Sequence, residues 1–258
     1  MPVKIEFAIF AISYKTEPAN IMIYIQLAQN NLHKLSFYLA MEEYVAKTLN
    51  LGDDYFFMWQ VEPTVIFGRN QVIENEVNLE YCKSHHINFF RRKSGGGCVY
   101  ADMSNVMLSY ITSENNVEET FKRYLQMISE TLESIGLENV HPCGHNDIMI
   151  GDRKVSGNAI YHLPGKIIAH GTLLYDTDME HMLHAITPSK QKLSKHGVQS
   201  VRQRICLLKD FSDLSFHEIR KRIKEHLCDK VYTLNEEDEE GIKQIEQEYL
   251  QPKFIYGK

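Results

Sequence analysis

The spacing of apolar residues along the chain changes between two periods, which predicts a mixed α/β protein. Strands are predicted where apolar residues alternate with polar ones or run together between turn signals. The run "MIYIQLA" from Met22 predicts a first strand, and "YFFMWQVEPTVIFGRN" (55–70) predicts two strands broken near Pro63. The runs "INFFRR" and "NVMLSYI" predict two more strands.

Helices are predicted where apolar residues recur three and four positions apart. The stretch "SFYLAMEEYVAKTL" (36–49) predicts a helix after a serine N-cap, and another helix is expected over 178–186. A further helix is expected after Ser215, where "SFHE" is a capping box. One helix that ends at Gly136 is expected to bury a core stripe made of Phe121, Leu125, Ile128, Leu132 and Ile135.

The segment "NDIMIGDRKVSGNAIYHLPGKIIAHGTLLYD" (146–176) predicts a meander of three strands. Its two tight turns are expected at Gly151-Asp152 and at Pro164-Gly165, because glycine supplies the backbone angles that such turns require. The whole pattern therefore indicates a mixed sheet with helices around it.

Composition narrows the class of protein. The chain has 258 residues, 43% of them hydrophobic, which is enough for one large domain, and a formal net charge of -6. An acidic chain without a long basic run is not typical of a protein whose main partner is nucleic acid. Its five cysteines are odd in number and lack a CxxC pair, so neither a disulfide framework nor a structural zinc site is indicated, and a reducing cytoplasm fits best.

The N-terminal region contains the apolar run "IEFAIFAI", which is too short to span a membrane. It also lacks a small-residue cleavage site of the kind that ends a signal peptide. We therefore expect a soluble protein without membrane attachment, in which residues 1–21 are an extension or a mis-called start.

The stretch "FFRRKSGGGCVYADMSN" (89–105) places three glycines after two arginines and a lysine. Successive glycines let backbone N–H groups converge on an anion, and arginine adds charged contacts to a carboxylate or phosphate. The pattern matches neither the P-loop nor the dinucleotide-binding fingerprint, so a plain tight turn is an equally good interpretation of this stretch alone.

A second polar feature follows in "GDRKVSGNA". If this stretch is extended, the period of two places Lys154, Ser156 and Asn158 on one face and Val155 on the other. A lysine that projects from a strand is a positioned cation, suited to a reacting carboxylate and phosphate. An exposed lysine in a hairpin arm is the ordinary alternative, just as His170 on the next strand is either functional or structural.

Four stretches together carry a resemblance to a known family. "RRKSGGGCVYADMSN", "GHNDIMIGDRKVSGNAIY", "AHGTLLYDTDMEHMLHAI" and "PSKQKLSKHGVQSVRQRICLL" resemble the lipoate-protein ligase A family in order and in spacing. The resemblance covers the chain from about residue 30 to its end.

The resemblance implies an α/β (α+β) fold, a mixed sheet flanked by helices, of the kind shared with biotin protein ligases and class II synthetases. It implies a single catalytic domain over residues 22–258, without the C-terminal accessory domain of longer ligases. The implied reaction uses ATP and Mg²⁺ to convert lipoate into lipoyl-AMP. The lipoyl group then passes to a lysine of a carrier domain in a 2-oxoacid dehydrogenase or in the glycine-cleavage H protein, with a separate accessory chain as a further expected partner.

The resemblance also assigns roles to residues. Lys154 would bridge the lipoate carboxyl group and the α-phosphate, and Asp147 would serve the nucleotide or its Mg²⁺. Arg92 would hold phosphates. The remaining implied substrate- or nucleotide-binding residues are Ser94, Gly95, Gly96, Gly97, Cys98, Val99, Tyr100, Asn146 and His170.

Two alternatives stay open at the level of sequence. Octanoyl- and lipoyl-transferases resemble the same fold but carry the acyl group on a cysteine, and Cys143 lies near the position expected for that nucleophile. The other alternative is a non-catalytic subunit that binds lipoate or nucleotide. The retained lysine and glycines speak against it.

Overall fold

The computed structural model of the chain describes residues 21–29, 31–50, 52–186 and 204–257. The extension predicted over residues 1–21 lies outside these ranges apart from Ile21, as does most of the "PSKQKLSKHGVQSVRQRICLL" stretch. None of the described helices is both long enough and apolar enough to cross a membrane.

Eleven described strands form two sheets, and the predicted strands are all among them. In chain order the strands are β1 (Met22–Gln26), β2 (Asp54–Trp59), β3 (Thr64–Phe67), β4 (Asn88–Arg91), β5 (Val99–Ala101), β6 (Asn105–Thr112), β7 (Val140–Cys143), β8 (Asp147–Ile150), β9 (Arg153–Leu163), β10 (Lys166–Leu174) and β11 (Lys230–Thr233).

The large sheet has eight strands in the order β11-β1-β2-β6-β10-β9-β8-β7. Strands β11, β1 and β2 are parallel, whereas every pairing from β2 to β7 is antiparallel. The small sheet has the order β4-β3-β5 and is also mixed. The predicted meander is confirmed as β8, β9 and β10, and its turns use Gly151 and Gly165 at φ angles of 58° and 72°.

Eight described α-helices surround the sheets. They are α1 (Leu35–Thr48), α2 (Ile73–Glu76), α3 (Leu79–Ser84), α4 (Val117–Ser134), α5 (Met179–Ala185), α6 (Phe216–Leu227), α7 (Glu236–Tyr249) and α8 (Pro252–Tyr256). The capping box predicted at α6 is confirmed, with Ser215 and Glu218 as its two members.

The serine cap predicted for α1 is wrong. The helix begins at Leu35 after Lys34, whose side chain makes no capping bond. Ser36 lies inside the first turn and is fully buried, and its hydroxyl donates to Glu246 of α7 at 2.6 Å. A polar residue at a helix start predicts a cap only if its side chain is free to turn back, and here the packing of α7 against α1 takes that hydroxyl.

The large sheet separates two hydrophobic clusters, because alternate residues of a strand point to opposite faces. On β2, Phe56 and Met58 belong to the cluster beneath α4, whereas Tyr55, Phe57 and Trp59 belong to the cluster beneath α1 and α7. Four residues of the stripe predicted for α4 are confirmed as core, namely Leu125, Ile128, Leu132 and Ile135, and Phe121 is partly buried against them. A third cluster lies between the small sheet and helices α3 and α5.

The buried stripe of α4 generates the first prediction. Leu132 is fully buried, and Glu133 beside it is exposed. We expect Leu132→Ala to lower the free energy of unfolding by about 2–5 kcal/mol, because it opens a cavity in the core. Glu133→Ala should change it by less than about 0.5 kcal/mol. Urea unfolding of the two variants measures both, and similar losses would contradict the assignment of these two positions.

Candidate active site

A cavity of about 290 Å³ lies where the large and small sheets meet beside α1. Its walls come from parts of the chain that are far apart in sequence. The lining residues are Leu39, Trp59, Ile66, Arg92, Gly96, Gly97, Cys98, Val99, Met107, Asn146, Asp147, Lys154, Gly157, Asn158, Ala159, His170, Gly171 and Thr172. The fold therefore brings the glycine stretch, the "ND" pair, Lys154 and His170 to one place.

Residues 94–97 form a loop, called here the glycine loop, and Arg92 holds it from inside the protein. The Arg92 guanidinium donates to the carbonyl of Gly95 at 2.6 Å, to that of Gly97 at 2.8 Å and to that of Ile66 at 3.2 Å. Burial lowers the pKa of Arg92 to about 10, so the group remains a cation at neutral pH. In this structure Arg92 thus shapes the loop.

The other two carbonyls of the glycine loop also have donors. The Arg69 amide donates to the Ser94 carbonyl at 3.0 Å, and the Gln71 side chain donates to the Gly96 carbonyl at 3.2 Å. Gly68 lies so close that a Cβ there would stand 2.1 Å from the Gly96 oxygen. Gly96 itself has a φ of 90°, which only glycine adopts without strain.

The backbone N–H groups of the glycine loop, unlike its carbonyls, are not hydrogen-bonded within the described residues. Within the described residues we find no acceptor for the N–H groups of Gly95, Gly96 or Gly97. A loop whose carbonyls are all satisfied by the protein and whose N–H groups are not is arranged to bind an anion, because amide donors are what remains for a ligand.

The residues before the loop fasten it to the rest of the protein. Lys93 lies 2.7 Å from carboxylate oxygens of both Glu43 on α1 and Glu248 on α7. Burial lowers the pKa of Lys93, but the hydrogen bonds and charges of the two glutamates outweigh it and raise the pKa overall. The arginine at the end of β4, Arg91, donates to five main-chain carbonyls, those of Gly68, Arg69, Gln71, Phe254 and Ile255.

Lys154 faces the cavity from β9, across from the glycine loop. Its ammonium lies 2.6 Å from Asp147 Oδ1, and both side chains are about one-third exposed, at 32% and 33%. Its backbone is held by residues 204–206, since its N–H donates to Arg204 and its carbonyl accepts from Cys206. The lysine is therefore positioned at both backbone and side chain.

The face predicted for Lys154 is wrong in one respect. Ile148 pairs with Ser156 but Met149 pairs with Lys154, so Val155 is the extra residue of a β-bulge. Lys154 consequently packs over Gly157, with its Nζ 2.7 Å from where a Cβ would be. Ser156 instead points with Asn158 toward α4, where both Ser156 and Tyr124 donate to the Asn158 side chain.

The remaining predicted residues divide into two groups. Asn146 lines the cavity and is braced by Asn158, since each side-chain amide donates to the other's main-chain carbonyl at 3.1 Å. Ser94, Gly95 and Tyr100 do not line the cavity, and Tyr100 belongs to the cluster beneath the small sheet. Cys143 is exposed and does not line the cavity either, although it pairs with Asp147 across β7 and β8.

Comparison with known proteins places the chain in a family. The family model described as "Lipoyl protein ligase A/B catalytic domain" matches residues 34–228. The chain belongs to this family. Two similar relatives are lipoate–protein ligase 1 of Staphylococcus aureus, 34% identical over 240 residues, and lipoate-protein ligase LplJ of Bacillus subtilis, 33% identical over 239 residues. The matches cover 90% and 88% of this chain, and 73% and 72% of the relatives.

Solved structures of the ligase family share the fold. The bipartite lipoate protein ligase of Thermoplasma acidophilum superposes with a TM-score of 0.79 at 24% identity, covering 92% of this chain and 97% of that one. A lipoate-protein ligase A solved with ATP superposes with a TM-score of 0.75 at 23% identity, covering 92% and 98%. The predicted mixed sheet flanked by helices is confirmed.

Several residues that line the cavity were not among the predicted site residues. Leu39, Trp59 and Met107 form part of an apolar wall, and they read in the sequence as ordinary core. Glu42, buried behind that wall, was also missed. Its signal was present in "LAMEEYVA", where two acidic residues interrupt a helix that is otherwise apolar, since a buried carboxylate needs a partner.

The contact between Gly68 and the Gly96 carbonyl generates the second prediction. We expect Gly68→Ala to cost about 1–3 kcal/mol of stability, because a methyl group cannot fit against a backbone oxygen without moving the loop. Amide hydrogen exchange over residues 94–97 should become faster. Gly52→Ala is the matched control, because nothing lies within 4 Å of a Cβ there. Equal effects of the two substitutions would contradict the close approach.

Proposed function

We propose that the chain is the catalytic unit of a lipoate-protein ligase. It activates lipoate with ATP to lipoyl-AMP and then transfers the lipoyl group to a lysine of a carrier domain. One observation carries the proposal: a loop arranged to bind an anion and a fixed lysine face each other across a cavity with an apolar wall. Membership of the ligase family supports it.

The apolar wall suits the acyl chain of lipoate. Leu39, Trp59, Ile66, Val99 and Met107 offer aliphatic and aromatic surface, and a buried alkyl chain gains about 0.8 kcal/mol for each CH₂ group removed from water. The carboxylate of such a ligand would lie toward the polar end of the cavity, beside Lys154.

The polar end suits adenylation. A carboxylate oxygen of lipoate attacks the α-phosphorus of ATP, and pyrophosphate leaves. Negative charge accumulates on the phosphoryl oxygens, where the glycine-loop amides and the Lys154 ammonium stabilise it. Because Lys154 projects from a strand held on both sides, its charge is already in place when the reactants bind.

The same groups serve transfer. The neutral amine of the carrier lysine attacks the carbonyl carbon of the mixed anhydride and an amide bond forms. AMP leaves with the electrons of the broken C–O bond, and the amine nitrogen releases one proton to solvent. Lys154 again lies beside the oxygens that gain charge. No covalent enzyme intermediate is needed, which distinguishes this route from one through a cysteine.

Magnesium fits the site as an ion carried by the nucleotide. Asp147 is the carboxylate among the described cavity-lining residues, and no described group of three or more metal-ligating side chains exists. Mg²⁺ characteristically uses one or two carboxylates together with substrate phosphates. We propose that Asp147 supplies that carboxylate, and that the bound ion would screen phosphate charge.

The partners follow from the proposed reaction. The Thermoplasma acidophilum structure is described as part of a lipoylation system that consists of a bipartite ligase and its E2 lipoyl domain. We propose lipoyl domains of 2-oxoacid dehydrogenases or the H protein as acceptors, a separate accessory chain as an aid to adenylation, and the cytoplasm as the place of action.

The proposed function generates the third prediction. The protein with lipoate, ATP, Mg²⁺ and an apo lipoyl domain should release pyrophosphate and add a lipoyl group to the domain, detected by mass spectrometry. The assay is repeated with added accessory chain. Absence of lipoyl-AMP under both conditions would overturn the ligase assignment. Acyl transfer from an octanoylated domain without ATP would establish the transferase instead, and binding of lipoate without either reaction would leave the non-catalytic subunit.

Lys154 generates the fourth prediction. Lys154→Ala should lower the rate of adenylation by about 10²-fold or more, because a preorganised charge at the reacting oxygens is lost. Cys143→Ala should retain the wild-type rate, because this thiol is exposed and outside the cavity. The two variants are compared in single-turnover formation of lipoyl-AMP. Loss of activity in Cys143→Ala with retention in Lys154→Ala would reverse the two roles.

A further inference from the structure

A continuous chain of hydrogen bonds runs beneath the cavity from its apolar wall to the glycine loop. Trp59 Nε1 donates to Ser109 Oγ at 2.9 Å, and Ser109 Oγ donates to Glu42 Oε1 at 2.6 Å. His170 Nδ1 lies 2.8 Å from Glu42 Oε2, and His170 Nε2 lies 2.7 Å from Ser94 Oγ. All five side chains are at least nine-tenths buried.

The position of each hydrogen atom follows from the carboxylate. An ionised Glu42 only accepts, so His170 must carry a proton on Nδ1 to bond with it. In a neutral imidazole the other nitrogen, Nε2, is then an acceptor. The hydroxyl of Ser94 therefore donates to Nε2 of His170. Every hydrogen bond in the series then points toward Glu42.

This series of hydrogen bonds connects the helix, strands and loop that surround the cavity. Glu42 lies on α1, Ser109 on β6 and His170 on β10, whereas Ser94 begins the glycine loop. His170 and Trp59 line the cavity, but Glu42, Ser109 and Ser94 do not. Both nitrogens of His170 are occupied within the protein, so the cavity meets its ring and not a free N–H group.

We propose that Glu42 and Ser94 are positioning residues that act through His170 to fix the glycine loop for the nucleotide phosphates. This inference rests on the proposed ligase function. Arg92 sets the internal shape of the loop, whereas the relay of Ser94, His170 and Glu42 sets where the loop lies relative to the large sheet that carries Lys154.

Burial gives the relay its strength. A carboxylate removed from water is costly unless it is hydrogen-bonded, so Glu42 holds its partners firmly in place. A ligand that fills the acyl cavity would pack against Trp59 and His170, and both residues take part in this series of hydrogen bonds. Acyl binding is thereby expected to restrain the same loop that receives the phosphates.

The first test is a spectroscopic one on the unmodified protein. With ¹⁵N-labelled histidine, the resonances of His170 should show a proton on Nδ1 and an unprotonated Nε2 at neutral pH. Substitution Glu42→Gln presents an amide N–H to Nδ1 and should transfer the proton to Nε2. Wild-type protein with a proton on Nε2, whether alone or together with one on Nδ1, would overturn the relay even if no variant folds.

The second test is a double-mutant cycle on kinetics, made with wild-type protein first shown to form lipoyl-AMP. Ser94→Ala should raise the KM for ATP about tenfold, by loss of one buried hydrogen bond, and change the KM for lipoate less than twofold. Glu42→Gln should also raise the KM for ATP. The double variant should be no worse than Ser94→Ala alone, because the relay then already lacks its last member.

The control is Ser129→Ala, which removes a buried hydroxyl of α4 that bonds only within its own helix. It should change neither KM. An unchanged KM for ATP in Ser94→Ala, or additive effects in the double variant, would overturn the proposal. A wild-type protein that forms no lipoyl-AMP would instead overturn the proposed function, and the tautomer of His170 would still decide the relay.

Discussion

The guanidinium of Arg92 determines how the glycine loop presents itself. It donates to the Gly95 and Gly97 carbonyls, and both oxygens are thereby held against a buried side chain. In a trans peptide unit the C=O and N–H groups point in opposite directions, so the bond to the Gly95 carbonyl also sets the direction of the Gly96 N–H group. The anion-binding face proposed for the loop therefore depends on what holds the opposite face.

This interaction gives Arg92 of the "RRKS" stretch a different role from the one expected from the sequence. An arginine beside a glycine-rich turn is expected to bind the anion itself, yet the Arg92 donors described here are engaged with carbonyls. The planar fork of arginine suits this task, because it reaches several carbonyls at once, which the single ammonium of a lysine does not. Each of the four residues fastens the loop to a different part of the protein. Arg91 bonds to α8, Arg92 to β3 through the Ile66 carbonyl, Lys93 to α1 and α7, and Ser94 to His170.

Much of the fold could be predicted because it depends on local patterns. The period of apolar residues located the strands and α4, and glycines located the turns of the meander. The site was predictable only as a set of motifs. The side of the strand on which Lys154 lies could not be predicted. The bulge at Val155 lies where residues 204–206 pair with the strand, and the alternation of polar and apolar residues does not reveal such a long-range pairing. The burial of Ser36 against α7 was hidden for the same reason.

The free energy needed to order the glycine loop explains why so many hydrogen bonds hold it. Each glycine gives up roughly 0.5–1 kcal/mol more than alanine on becoming ordered, so three in succession form a loop that would not hold one shape unaided. Hydrogen bonds from a charged donor contribute about 1.5–3 kcal/mol each, and Arg92 makes several. A single hydrogen bond of this kind therefore offsets the ordering cost of at least one glycine. Gly68 must be glycine because a Cβ there would meet the Gly96 oxygen, and Gly96 must be glycine because of its positive φ angle. The buried cation of Arg92 holds this flexible stretch in one shape.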